Sequence, residues 1–220
     1  MLAQELISEE IPELKPTDSA EKALQLMEDF KLTEMPLIED GLFLGLLTEN
    51  AILDFDSLDR KIGRNKVELD PTAVSSYEHI YEVIGKMAGK KLSLLPVLDD
   101  AKQYVGSISL AKLVDHIAQL GAMKDPGGIL QVEMNVNDYS LAEIATLVES
   151  NGAKIVSSYV STHDDSTKMD LTIKINQTDL SAIIQTFERY NYNLVASFHK
   201  SELEDDLKKR YDAFLHYLNM

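Results

Sequence analysis

The first half of this 220-residue sequence is written twice, and no other feature constrains its fold as tightly. At an offset of 60, Ala23 falls on Val83, Met27 on Met87, Met35-Pro36 on Leu95-Pro96 and Leu37 on Val97. One inserted residue then sets Gly45 on Gly106 and Thr48 on Ser109. Such self-similarity predicts two copies of one supersecondary unit that bury their apolar faces together, because roughly 60 residues alone make a marginal core.

Each copy has the same physical order. An amphipathic helix comes first, carrying Ala23, Leu24, Met27 and Phe30 in one copy and Ile80, Val83, Ile84 and Met87 in the other. An apolar strand runs through Pro36 or Pro96, followed by an acidic turn (Glu39-Asp40-Gly41; Asp99-Asp100) and a second strand through Gly45 or Gly106. A hydroxyl residue, Thr48 or Ser109, then opens a second helix as an N-cap.

After Gly121 the character changes. Ala122–Gly128 contains Pro126, Gly127 and Gly128 and reads as a linker. Ile129–Val136 alternates as a half-buried strand, and Ser140-x-x-Glu143 is a capping box before a helix with Leu141, Ile144, Ala145 and Val148 on one face. Gly152 marks its end. Ala153–Val160 and Met169–Ile175 are strands joined through the polar hairpin His163–Ser166. Leu180–Tyr190 is a helix and Tyr192–Phe198 a last strand. The order is βαββαβ, the split arrangement of ferredoxin-like folds. Residues 200–219 read as a terminal helix whose stripe of Leu203, Leu207, Phe214 and Leu218 is covered either by its own chain or by a dimer partner.

The repeat order of helix, h-Pro-h-h strand, acidic turn, h-Gly-h-h-[Thr/Ser] and helix resembles the CBS domain, which occurs in tandem pairs (Bateman modules). The βαββαβ region behind it resembles an ACT-type regulatory domain. Together they are similar to the acetoin-utilisation (AcuB-like) regulatory protein type. The resemblance implies an α/β (α+β) chain: a CBS pair over 1–122 (copies of about 1–60 and 61–122), an ACT-like domain over 128–199 and a C-terminal helix over 200–220. It further implies clefts between the copies that bind adenosine-type ligands. Carried onto this sequence, the phosphate-facing hydroxyls are Thr48 and Ser109. The strand contacts, made by backbone groups that read the purine edge, fall on Met35, Pro36 and Leu37 in one copy and Leu95, Pro96 and Val97 in the other, with an apolar wall from Ile11 to Leu14. Nucleotide-binding copies place an Asp three residues after the hydroxyl to hold the ribose diol, but here those positions are Ala51 and Lys112. Neither accepts a hydrogen bond, and losing that contact costs about 1.5–3 kcal/mol per site. Lys112 instead offers a cation to a phosphate or other anion. The Gly-containing turn of amino-acid-binding ACT domains is also missing, since the first strand–helix turn is Asn137-Asp138-Tyr139-Ser140.

Composition narrows the function. With 21 Lys+Arg against 37 Asp+Glu the formal charge is −16, which argues against nucleic acid or an anionic membrane as partner. The densest basic cluster, Arg60, Lys61, Arg64 and Lys66, is flanked by Asp56, Asp59, Glu68 and Asp70 and reads as locally compensated. There is no cysteine, which removes thiol chemistry and Cys-based metal centres. The five histidines lack ligand spacing, and no nucleophile, base and oxyanion donor assemble. No signal-peptide pattern or membrane-length apolar run is visible. The expectation is a cytoplasmic, non-catalytic homodimer with no metal and no required cofactor. It senses a small effector, AMP, ADP, ATP or a related anion, and relays it through the ACT-like half to a protein partner. The alternative is a ligand-free adaptor with the CBS pair as a dimer core.

Overall fold

Both copies of the repeat take the expected order in the computed structural model, which describes residues 1–8, 10–63, 67–120, 123–162 and 167–198. The expected terminal helix and the tip of the 163–166 hairpin lie outside the described residues. Contacts divide the chain into two units, Met1–Ile117 and Ala118–Met220.

In the first unit, α1 (Ala20–Phe30) starts at Ser19, whose hydroxyl accepts from the Lys22 amide, and stops at Lys31, a left-handed C-cap with φ 56°. Its counterpart α3 (Ile80–Lys90) starts at His79 and stops at Lys91, also at φ 56°. Each buries the face its spacing predicts: Ala20, Ala23 and Met27, or Ile80, Val83 and Met87. The helices lead into antiparallel hairpins, β1 (Glu34–Glu39) with β2 (Leu42–Thr48), and β4 (Leu94–Leu98) with β5 (Tyr104–Ser109). A parallel leader pairs with each first strand, Leu14 with Leu37 in one copy and β3 (Val74–Ser75) with Val97 and Leu98 in the other. The hairpins end at the helices α2 (Glu49–Leu53) and α4 (Leu110–Gln119). Leu37, Leu46 and Leu47 of one copy share a single core with Leu94, Leu95 and Ile108 of the other. Burying each such side chain contributes about 1.5–3 kcal/mol, so the copies stabilise one another.

Further upstream, each leader lies on the opposite copy's hairpin. Ser8 bridges Ser107, and Asp70 bridges Leu46. Glycine is required where they cross. Gly106 (φ 149°) faces Ile7 and Gly45 (φ 146°) faces Leu69, and a Cβ at either position would come within 2.5 Å of the neighbouring side chain. The paired glycines of the repeat are thus explained by backbone conformation and by space.

The two copies also meet at Thr33 and Ser93, where the symmetry is broken by Glu34. Glu34 is only 3% exposed. Oε1 accepts from the Ser93 amide (2.6 Å), the Ser93 hydroxyl (2.8 Å) and the Leu94 amide (2.8 Å), while Oε2 accepts from the Thr33 hydroxyl (2.6 Å). The equivalent residue in the second copy is Leu94, so the clasp runs in one direction only.

The second unit is a four-stranded antiparallel sheet in the order β7-β8-β6-β9, with β6 Gly128–Asn135, β7 Ile155–Thr162, β8 Lys168–Ile175 and β9 Asn193–Phe198. Helices α5 (Leu141–Glu149) and α6 (Ser181–Arg189) complete the βαββαβ order. Leu130, Val132, Leu171 and Ile173 pack with Ile144, Val148, Ile183 and Phe187. The capping box is half made. Ser140 accepts from the Glu143 amide at 3.3 Å, but the Glu143 carboxylate takes the Tyr192 hydroxyl. Burial, and then this bond, push the Tyr192 hydroxyl up to about 12. Gly128 begins β6, and Gly127 packs where a Cβ would stand 2.2 Å from the Ile175 carbonyl. The glycines expected to form a linker therefore serve close packing.

Candidate functional site

Two clefts open in the first unit at the two hydroxyl residues. Thr48 and Ser109 each end a strand and cap the helix that follows, accepting from the amides of Ala51 and Lys112 respectively, both at 3.2 Å. An N-cap exposes the first amides of a helix, and its own hydroxyl keeps a proton to donate.

The smaller cleft, about 630 Å³, is lined by Thr48, Ala51, Asp54, Phe55, Arg60, Glu68, Asp70 and Lys90 among others. Asp70 accepts from the Thr72 hydroxyl and amide and lies 3.1 Å from Lys90 Nζ. The Thr72 hydroxyl bond, opposed by burial and aided by the Thr72 amide and Lys90, holds its carboxyl below the ordinary range. The Arg60 guanidinium sits 4.6 Å from the centre of the Phe55 ring. Of the basic cluster, Arg60 is thus held by stacking, while Arg64 and Lys66 fall outside the described residues.

The larger cleft, about 1060 Å³, is lined by Ile7, Ser8, Ile11, Lys31, Ser93, Ser109, Lys112 and His116 among others. The Ser8 and Ser109 hydroxyls are 3.1 Å apart, and Ser8 Oγ also accepts from the Ser109 amide at 3.3 Å. Both ring nitrogens of His116 are buried without a hydrogen-bond partner among the described residues. Ser93, held by Glu34, stands in this cleft's wall.

Of the residues singled out in the sequence, Ile11, Ser109 and Lys112 come together in the larger cleft and Thr48 in the smaller. Leu14, Met35, Leu37, Leu95 and Val97 are fully buried, and Pro36 and Pro96 lie buried beside them. These seven line neither cleft. Their side chains fill the core because every residue from Met35 to Ile38 and from Leu94 to Val97 is covered on both faces. The Pro36 carbonyl is taken by the Leu14 amide at 2.9 Å. Sequence reasoning missed Ser8, Lys31 and Asp70, which reach the clefts only through the crossed leaders and a helix C-cap.

Residues 3–57 and 66–119 match the CBS domain family. The N-terminal half of the chain is a tandem CBS domain pair. A curated relative, inosine-5'-monophosphate dehydrogenase of Methanocaldococcus jannaschii, is 20% identical over 149 residues. That match takes in 67% of this chain and 30% of the dehydrogenase, so the chain spans about a third of the relative's length. Among solved structures, a CBS domain pair/ACT domain protein from Thermotoga maritima is 22% identical with a TM-score of 0.48, over 54% of this chain and 98% of that one. The CBSX2 protein of Arabidopsis thaliana, solved in complex with AMP, is 21% identical with a TM-score of 0.46, over 54% and 96%. Thr48 lies within the first matched copy and Ser109 within the second. Among the described residues no group of three or more His, Asp or Glu side chains is placed to hold a metal ion, and no helix is long and apolar enough to cross a membrane.

Proposed function

We propose that this chain is a non-catalytic regulatory protein whose CBS pair binds a small metabolite, an adenine nucleotide or related anion, and relays its presence to the second unit. The observation that carries this reading is the pair of clefts, each opening at a capping hydroxyl within a matched CBS copy. The relay is a population shift. Ligand bound between the copies favours one arrangement of the pair by as much as it binds that arrangement more tightly. The second unit, with its βαββαβ order, serves as an ACT-like module over 128–199, and the chain works as a cytoplasmic homodimer of the acetoin-utilisation regulator type that acts on a protein partner. No resident cofactor is needed.

A second reading is favoured by one observation. Ala51 and Lys112 stand where an acceptor would hold the ribose diol, which suits an adaptor that has lost its ligand and keeps the pair as a dimer core. A thermal-shift panel at about 1 mM of AMP, ADP, ATP and the twenty amino acids separates the two. A ligand at 100 times its Kd stabilises by about 2.7 kcal/mol, a shift on the order of 5–10 °C for a chain of this size. A nucleotide response lost in the T48A/S109A double variant supports the sensor; no response from any compound supports the adaptor. Light scattering at micromolar concentration reads the dimer, which a monomeric mass excludes.

A further inference from the structure

We infer that the two clefts are unequal and that the chain takes one organic phosphate, in the larger cleft, on Lys31 and Lys112. This rests on the sensor reading above and names the cleft, the charge class and the stoichiometry.

The inequality comes from single positions that the repeat brings into register. Ser8 in the larger cleft and Asp70 in the smaller occupy equivalent places, one bridged to Ser107 and the other to Leu46. The neutral residue offers a hydroxyl 3.1 Å from that of Ser109. Asp70 instead puts a carboxylate into the cleft that Thr48 lines, opposing an incoming anion, and Thr72 holds it ionised.

The cations differ in the same sense. In the smaller cleft Lys90 is spent on Asp70 at 3.1 Å, and Arg60 lies against Phe55. Asp54 and Glu68 line it too. In the larger cleft the side chains of Lys31 and Lys112 have no ion pair or hydrogen bond among the described residues. Lys31 is fixed by its left-handed C-cap at the end of α1, and Lys112 by its place in the first turn of α4. Among the described residues the acids lining this cleft are Glu5, Glu10 and Asp115, and Glu5 is occupied by the Leu2 amide at 2.6 Å. An anion bearing hydrogen-bond donors at its far end fits that mixture: its phosphate meets two free ammonium groups, and its donors meet Glu10 and Asp115. The lysine pair replaces the diol acceptor as the recognition element, so charge is what this cleft reads.

The test uses the full chain with AMP, ATP and inorganic pyrophosphate as probes. Calorimetric titration of the best probe is expected to give one site per chain. K31M and K112M should each weaken it about tenfold or more, the loss of a charge-assisted contact. K90M should leave affinity within about twofold, and circular dichroism checks that all three variants fold. Lysine acetylation read by mass spectrometry should show Lys31 and Lys112 protected together by the probe and Lys90 unchanged. Two sites per chain, protection at Lys90, or unchanged binding in K112M overturns the one-cleft assignment and leaves the sensor reading standing. Binding of none of the three probes overturns both.

Discussion

Replacing Glu34 tests whether the one-way clasp holds the two copies together. In E34L the strand keeps a residue that its twin already tolerates, since the equivalent position is Leu94. What changes is the fate of four donors. The Thr33 hydroxyl lies 3.3 Å from that of Ser93 and can donate to it, and the Ser93 hydroxyl can turn toward the cleft it lines. The amides of Ser93 and Leu94, now 2.6 and 2.8 Å from Oε1, cannot turn and are left without an acceptor. Each orphaned buried amide costs about 1–3 kcal/mol, and the added apolar burial offsets part of it, for a net loss of about 2–4 kcal/mol. At roughly 2–4 °C per kcal/mol, Tm should fall by about 5–15 °C. E34Q keeps an acceptor oxygen for the same amides and should lose only about 1 kcal/mol. The assay is thermal unfolding followed by circular dichroism, with amide hydrogen exchange at Ser93 and Leu94. E34L melting with the wild type, with both amides still protected, would refute the clasp.

Three further outcomes follow from geometry already described. G106A should destabilise by about 1–3 kcal/mol, because its Cβ meets Ile7 at 2.5 Å and its backbone sits at φ 149°; I7A in the same chain should recover part of that in urea unfolding. Asp70 and Asp18 are both held below the ordinary carboxylate range, Asp70 chiefly by Thr72 and Asp18 by Lys22 and the Lys15 amide against the pull of burial. Their contribution is therefore present above about pH 4 and lost as pH falls through the folded-state values; T72V should move the acid-unfolding midpoint upward. Tyr192, pushed up to about 12 against a usual value of 10, contributes stability that is full below pH 10 and fades as pH rises toward 12. Y192F should flatten the alkaline arm of a stability–pH profile, and an unchanged arm would exclude the Tyr192 hydroxyl as its source.

The sequence carried much of this fold because its signals are local. Periodicity marked α1 and α3, the hydroxyls at Thr48 and Ser109 marked the caps, and strict alternation marked β6 and β8. What it hid is non-local. Ser8 reaches Ser109 across 101 residues, and nothing in MLAQELIS announces that its end will lie on another copy's hairpin. Glu34 reads as an ordinary acid at a strand start until Ser93 arrives from 59 residues away. An apolar run such as Met35–Ile38 says that it will be covered, not whether a ligand or a core covers it. Here both faces meet protein, which moved Leu14, Met35, Leu37, Leu95 and Val97 into the core.

The crossing of the leaders over Gly45 and Gly106 means that the boundary the repeat draws near residue 60 is not a physical boundary. A cut there would strip each half of the leader that bridges its hairpin, exposing the edges at Leu46 and Ser107. Two separate single-copy chains would have to trade arms to make the same contacts, so this unit has the geometry of a swapped dimer joined end to end. The join turns a second-order encounter into an intramolecular one, at the millimolar effective concentrations typical of short tethers. Freed from being identical, the copies could then diverge at single positions, Ser8 against Asp70 and Glu34 against Leu94, without losing the partner that completes them.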